Sequence, residues 1–222
     1  MTSRTALSPA SPATLTLVLA AVAQMIIAGL TLGFAGTVSP WRDPVSDYAW
    51  HRGGRLCFVV AVVLLLAAAA TLATAARLAA LPRSPLAGVL FLLWTTGLLV
   101  ILLFRSNSSA ENVTVSGEIH RAGGAVLFVS LPFAAWTLSA RLPAEPRWSA
   151  LAATLRRAAV AGMVTAAAFA TAQVVGWLPL GLLERVALLA EFLIVATVAT
   201  ALRRASGTPS RAAEAAAREV IR

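Results

Sequence analysis

Two short stretches hold most of the residues with chemistry to offer. The first, SPWRDPVSDYAWHRGGR (39–55), carries Asp43, Asp47 and His51 beside three arginines, and the second, SNSSAENVTVSGEIHRAGG (106–124), carries Glu111, Glu118, His120 and Arg121. Two imidazoles and a carboxylate form a known catalytic zinc set with an open coordination position, so Asp47, His51 and His120 are the candidate metal ligands. Ser46 or Glu118 would then orient or deprotonate the bound water as general base. That makes Ser46, Asp47, Glu118 and His120 the candidate catalytic group. Beyond zinc, the sequence specifies no cofactor: it contains no Walker loop, dinucleotide fingerprint, HExxH or GxSxG motif. The lone Cys57 rules out an intrachain disulfide and a CxxC site.

Helical spacing decides whether these groups can meet. DPVSD reads as a helix start, with Asp43 as N-cap and Pro44 at the first helical position. In an α-helix Asp47 and His51 then share a face, with Arg55 one turn further along. The same residues have a plain structural reading as cap and i,i+4 pair, and Trp41, Tyr48 and Trp50 suit a membrane interface as anchors. In the second stretch Ser116 or Thr114 can cap a helix, Glu118 suits its dipole, and Gly123 with Gly124 forms a close-packing pair.

The elements that must position these residues are apolar. The 222 residues are 59% hydrophobic and 12% charged, with a mean hydropathy of +0.83, far above what a soluble domain carries. Six runs reach the roughly 20 residues needed to cross a bilayer: Thr14–Gly36, Leu56–Ala76, Leu86–Phe104, Ile119–Ala140, Ala158–Trp177 and Leu182–Leu202. They are continuous rather than alternating, which selects helices over barrel strands. The expected fold is therefore all-α, a polytopic bundle of six transmembrane helices. A short N-terminal segment (1–13) precedes the membrane domain (14–204), and an Arg/Ala/Glu tail (205–222) follows, in which Glu214 and Arg218 are spaced for a short helix. The first run exceeds a signal-peptide core of about 7–15 residues and lacks a clear cleavage site, so it reads as an uncleaved span.

All eighteen basic residues are arginine. Twelve fall on the N-terminal side of this topology and six on the other, which places both termini in the cytoplasm under the positive-inside rule. The net charge of +9 thus reports topology rather than nucleic-acid binding. Absence of lysine and abundance of alanine suggest a GC-rich bacterial genome, hence the bacterial cytoplasmic membrane. With this orientation Asp43, Asp47, Glu111, Glu118, Glu184 and both histidines lie on the outer side. Glu191 is isolated within the sixth run. At that depth a carboxylate is neutral or paired with an arginine, and Arg55 and Arg121 complete a candidate buried charge cluster with it. Gln173 in the fifth run reads as packing glue.

The plan of six runs, with SPWRDPVSDYAW after the first and GEIHRAGGAVLFVSLPFAAWTLSARL forming the fourth, resembles the domain-of-unknown-function 998 family of bacterial and archaeal integral membrane proteins. In that family a Ser-Asp pair follows the first helix and a histidine opens a later one, which would correspond to Ser46, Asp47 and His120. The resemblance covers residues 14 to 204 and implies a fold but no activity. A looser likeness is to membrane hydrolases of the alkaline ceramidase type, which arrange serine, aspartate and three histidines around zinc. Only two histidines exist here.

Two functional readings follow. In one, an outward-facing polar site of Ser, Asp, His and Glu serves binding, transport or membrane structure, with the lipid bilayer as constant partner and a lipid or small molecule as ligand. In the other, a membrane-embedded metal-dependent hydrolase acts on a lipid or lipid-linked substrate. The sequence sets no oligomeric state.

Overall fold

In the computed structural model, which describes residues 8–108 and 112–206, six long helices follow one another along the chain. They are α1 (Ala10–Gly33), α2 (Gly54–Leu78), α3 (Pro85–Leu103), α4 (Val115–Ser139), α5 (Ser149–Ala172) and α6 (Leu180–Ser206). Short 3-10 turns lie at Val45–Trp50, Leu142–Ala144 and Pro146–Trp148, and no strand occurs among the described residues. Arg4, Glu111, and the tail with Glu214 and Arg218 lie outside the described residues.

Five of these helices are long and apolar enough to cross a membrane: α1, α2, α3, α4 and α6. Their outward faces carry Leu15, Met25, Leu32, Leu92, Leu103 and Val129, all exposed, as surfaces that meet lipid must be. The fifth expected run differs from the helix that forms there. α5 begins at Ser149, before the two arginines 156 and 157, and stops at Ala172, so the helix takes in polar residues that the apolar run Ala158–Trp177 excluded. Leu151 and Leu155 explain the early start, because they are buried in the main core cluster and draw the first turns onto the bundle. Gln173 is consequently the C-terminal cap residue of α5, at a helix end rather than in mid-span.

Helix packing follows chain order. α1 packs on α2, α3 on α4, α4 on α5, α5 on α6, and α6 returns to α1, so the helices form an open ring. Small residues let the seams close: Ala13, Ala20 and Ala23 of α1 and Ala61, Ala68 and Ala75 of α2 are all buried. The hydroxyls of Thr16 and Thr71 meet across that seam at 2.8 Å. On the α3–α4 seam a Cβ added at Gly97 would meet the Gly123 carbonyl at 2.8 Å and the Leu127 side chain at 2.9 Å. Gly123 is likewise pressed against Val100, whereas nothing lies within 4 Å of a Cβ at Gly124. Of the expected Gly123–Gly124 pair, only the first is a packing glycine.

One seam stays open. α2 and α3 are joined by residues 79–84 but pack together far less than the other sequential helix pairs. α2 ends in a Schellman turn, with Leu81 N–H donating to Ala76 O at 3.0 Å and Ala80 N–H to Arg77 O at 3.1 Å. Ala80 takes the left-handed position (φ 51°). Ser84 accepts from the Ala87 N–H and Pro85 follows it, which starts α3 afresh. Between the two helices lies a cavity of about 700 Å³, walled by Leu72, Phe91, Leu131, Ile194 and Val198.

Close packing at α3–α4 makes a specific prediction. Gly97→Val should lower the melting temperature in detergent by the equivalent of about 1–3 kcal/mol, the usual cost of overpacking. Gly124→Val should leave it within error of wild type, since the new side chain enters open space.

Candidate functional site

Most of the ionisable groups singled out above gather at the end of the bundle away from the start of α1 and the end of α6, here called the distal end. The connection 34–53 crosses this end and is fastened to α6. Its irregular backbone leaves amides and carbonyls that need partners, and α6 supplies them. Trp41 O accepts from the N–H groups of Gly181 and Leu182 at 3.0 and 3.3 Å, capping α6. In return Glu184 Oε2 accepts from the Val45 N–H at 2.7 Å, capping the 3-10 turn. Each element thus satisfies the other's first N–H groups.

Arg185 completes the fastening. Its guanidinium donates to Pro40 O (3.1 Å), Asp43 O (3.0 Å) and Gly181 O (2.8 Å), and to Tyr48 Oη (2.6 Å). Its Nε–H donates to Thr31 Oγ1 at 3.3 Å, which brings in α1. Tyr48 is fully buried beneath it, with Val38 and Val45 beside it in a second core cluster. Gly181 has no room for a side chain, because a Cβ there would run into the Asp43 backbone.

The expected stripe of Asp47, His51 and Arg55 does not form. Val45–Trp50 is a 3-10 turn with three residues per turn, so residues four apart point about 120° away from each other. Gly53 then takes φ 86° and restarts the chain as α2, leaving Arg55 exposed. His51 lies instead beside Phe34, ring centroids 5.7 Å apart. Asp43 is not the cap of this turn either. Its Oδ2 accepts from the Ser39 N–H at 2.7 Å and closes the turn before it, and Pro44 precedes the 3-10 segment in extended conformation. Ser46 is buried within the turn. Asp47 is partly buried, and that burial, with Asp43 nearby, raises its carboxyl pKa to about 6 although Arg185 pulls the other way.

The second stretch forms its own network. Thr114, rather than Ser116, caps α4 by accepting from the Gly117 N–H at 3.0 Å. Ser116 Oγ bonds both backbone groups of Arg105. His120 meets Phe104 O at 2.8 Å through Nδ1; a carbonyl can only accept, so the proton sits on that nitrogen. Glu118 pairs with Arg121 at 2.8 Å on an exposed helix face, and Asn107 Nδ2 reaches the same Glu118 oxygen at 3.4 Å. Arg105 ties this loop to the first one. Its guanidinium stacks 3.5 Å over Trp50 and donates to Ala49 O at 3.1 Å.

Glu191 belongs to neither network. It is buried in α6, where one oxygen accepts from Trp94 Nε1 at 3.1 Å and the other has no partner among the described residues. The expected cluster with Arg55 and Arg121 is absent, since Arg55 is exposed and Arg121 is occupied by Glu118. An indole N–H on the neighbouring wall fills the place assigned to an arginine.

A family model described as protein of unknown function (DUF998) matches residues 10–201. The chain belongs to the DUF998 family. No curated protein and no solved structure matches it.

The DUF998 protein thus has Ser46 and Asp47 in the 3-10 turn beside Arg185, and Glu118 and His120 in the neighbouring α3–α4 network. Among the described residues no group of three or more His, Cys, Asp or Glu side chains is placed to hold a metal ion. Asp47, His51 and His120 therefore do not fit the zinc set expected of them. Glu184 and Arg185, which organise the distal end, were not singled out by spacing or motif. Their signal was an adjacent acid and base in the first turns of an otherwise apolar helix, where ionisable groups face the bundle.

Two outcomes are expected. Arg185→Ala should release the 34–53 connection, seen as faster hydrogen exchange at Val45 and Tyr48, and Arg185→Lys should restore little, because an ammonium lacks the planar fork of donors. For Asp47, the folded protein holds its proton up to about pH 6 while the unfolded chain releases it near 3.8. Its effect is therefore a stability that falls as pH rises from about 4 to 6 and levels off above. Melting curves of Asp47→Asn and wild type should coincide near pH 4, with the variant the more stable above pH 6.

Proposed function

We propose that this DUF998 protein is a six-span protein of the bacterial cytoplasmic membrane, with both termini in the cytoplasm, that binds an amphiphile from the bilayer. The cavity between α2 and α3 carries this reading. Its volume, about 700 Å³, falls in the range of roughly 300–1,000 Å³ usual for small-molecule sites, and its walls are apolar. It lies along a weakly packed seam between two lipid-facing helices, so a molecule can enter sideways from the membrane.

A sixth crossing at α5 is read from its apolar stretch after Arg157. Arg156 stacks 4.5 Å from the Trp136 ring, a pairing suited to a membrane interface. Six crossings leave the arginine-rich ends on one side, in keeping with the positive-inside rule. On the outward face, Glu118 and His120 hold the α3–α4 connection, while Ser46 and Asp47 lie in the 3-10 turn docked on α6. The hydrolase reading draws no support from an arrangement whose ligands are spread over separate contacts.

Two measurements test the proposal. In a Cys57→Ala background, a membrane-impermeant maleimide applied to intact cells should label Arg42→Cys and spare Glu145→Cys; the reverse pattern would overturn the topology. Native mass spectrometry of wild type released from lipid nanodiscs should show about one retained lipid per chain. Gly88→Phe, which projects a ring into the cavity from a position with open space around it, should retain none. Equal retention in both would remove the binding reading.

A further inference from the structure

The cavity has a charged rim, and the rim has a sign. Arg77 at the end of α2, Arg83 in the connection to α3, and Glu145 after α4 all border it and are all exposed. Neither guanidinium has a hydrogen-bond or ion-pair partner among the described residues, where the one ion pair joins Arg121 and Glu118 at the distal end. This contrasts with Arg105, Arg147 and Arg185, each of which donates to a backbone carbonyl. Among the lining side chains two guanidinium groups stand against one carboxylate, and Arg147, hydrogen-bonded to the neutral Ala79 carbonyl beside the rim, keeps its own charge, so the rim carries surplus positive charge. The start of α3 opens at the same rim, adding the positive end of a helix dipole.

Below the rim the lining changes character. From Ser84 to Phe91 on α3, and from Leu131 to Leu138 on α4, the cavity extends about 10 Å at 1.5 Å per residue, into one leaflet of a hydrocarbon core about 30 Å thick. Its α6 wall is Ile194, Val195 and Val198. One turn deeper, Trp94 and Glu191 join α3 to α6. The space is therefore apolar along its length and cationic only at its mouth.

Resting on the binding reading above, we propose that this crevice holds a phospholipid of the cytoplasmic leaflet whose phosphodiester headgroup carries one negative charge. An acyl chain lies between α2 and α3, and the phosphate sits between Arg77 and Arg83. A guanidinium presents paired N–H donors that match phosphate oxygens, so the two arginines hold the headgroup by geometry as well as charge. Glu145 accepts from headgroup hydroxyls and disfavours a second negative charge. An anionic headgroup offsets the rim's surplus positive charge, which a zwitterionic lipid leaves unchanged.

The probe is a nanodisc containing equal amounts of phosphatidylglycerol and phosphatidylcholine with saturated chains of one length, with retained lipid identified by native mass spectrometry. Wild type should retain phosphatidylglycerol in clear preference. Arg77→Gln and Arg83→Gln should each reduce that preference about fivefold, the effect usual for one arginine near an anionic membrane surface. Both substitutions are at exposed positions, and unchanged melting temperatures will show that the fold is intact. Retention that is abolished by Gly88→Phe and by Ala73→Phe but does not distinguish the two lipids would overturn the headgroup assignment and leave the binding reading standing. Retention indifferent to both cavity-filling variants would overturn the two together. A lipid bound only after removal of residues 207–222 would make the chain's own tail the occupant, and would also overturn the assignment.

Discussion

An amide that has left water must find a partner, and this requirement shapes the DUF998 protein at each level. Within the long apolar stretches the helix itself meets it. The difficulty arises at the connection 34–53, whose backbone is irregular and yet covers the end of the bundle. There the exchange between Trp41 O and the first amides of α6, and between Glu184 and the Val45 N–H, satisfies both partners at once. Arg185 collects the remaining carbonyls with one planar group. The position of Tyr48, the absence of a side chain at Gly181, and the attachment of α1 to α6 through Thr31 all depend on that exchange.

The same requirement organises the polar residues of the second distal connection. Ser116, Thr114 and Asn107, and Nδ1 of His120, bond within the connection between α3 and α4. Arg105 joins this connection to the other by lying over Trp50. A metal site needs several ligands aimed at one point, and among the described residues no group of three His, Cys, Asp or Glu side chains is so placed. At the opposite end the pattern is reversed. Arg77 and Arg83 rim an apolar space without partners among the described residues, which is the condition under which charge is available to a ligand.

Packing accounts for where that space lies. Close helix contact needs small residues on both faces, and α1–α2 has buried alanines while α3–α4 has Gly97 against Gly123. The Schellman turn at Ala80 and the separate cap at Ser84 give α2 and α3 independent directions, so the ring does not close between them. A bundle with five tight seams and one loose one has a preferred side for access from lipid.

Composition and run length by themselves determined the helical class, the membrane environment and the approximate place of each helix, because burial in hydrocarbon is a property of residue type and number alone. The sequence motifs at Ser46, Asp47 and His120 likewise pointed to the DUF998 family. What the run length misjudged was α5, where Leu151 and Leu155 extend a helix through residues too polar to count toward a span. Tertiary structure alone decided which polar groups meet. A helical wheel placed Asp47, His51 and Arg55 on one stripe, but the docking of Val45 on Glu184 accompanies a 3-10 turn, and a turn of three residues separates them. Glu191 and Trp94 stand 97 positions apart in the chain and meet across α6 and α3. No local spacing encodes such a pair, because it depends on where the neighbouring helices come to rest.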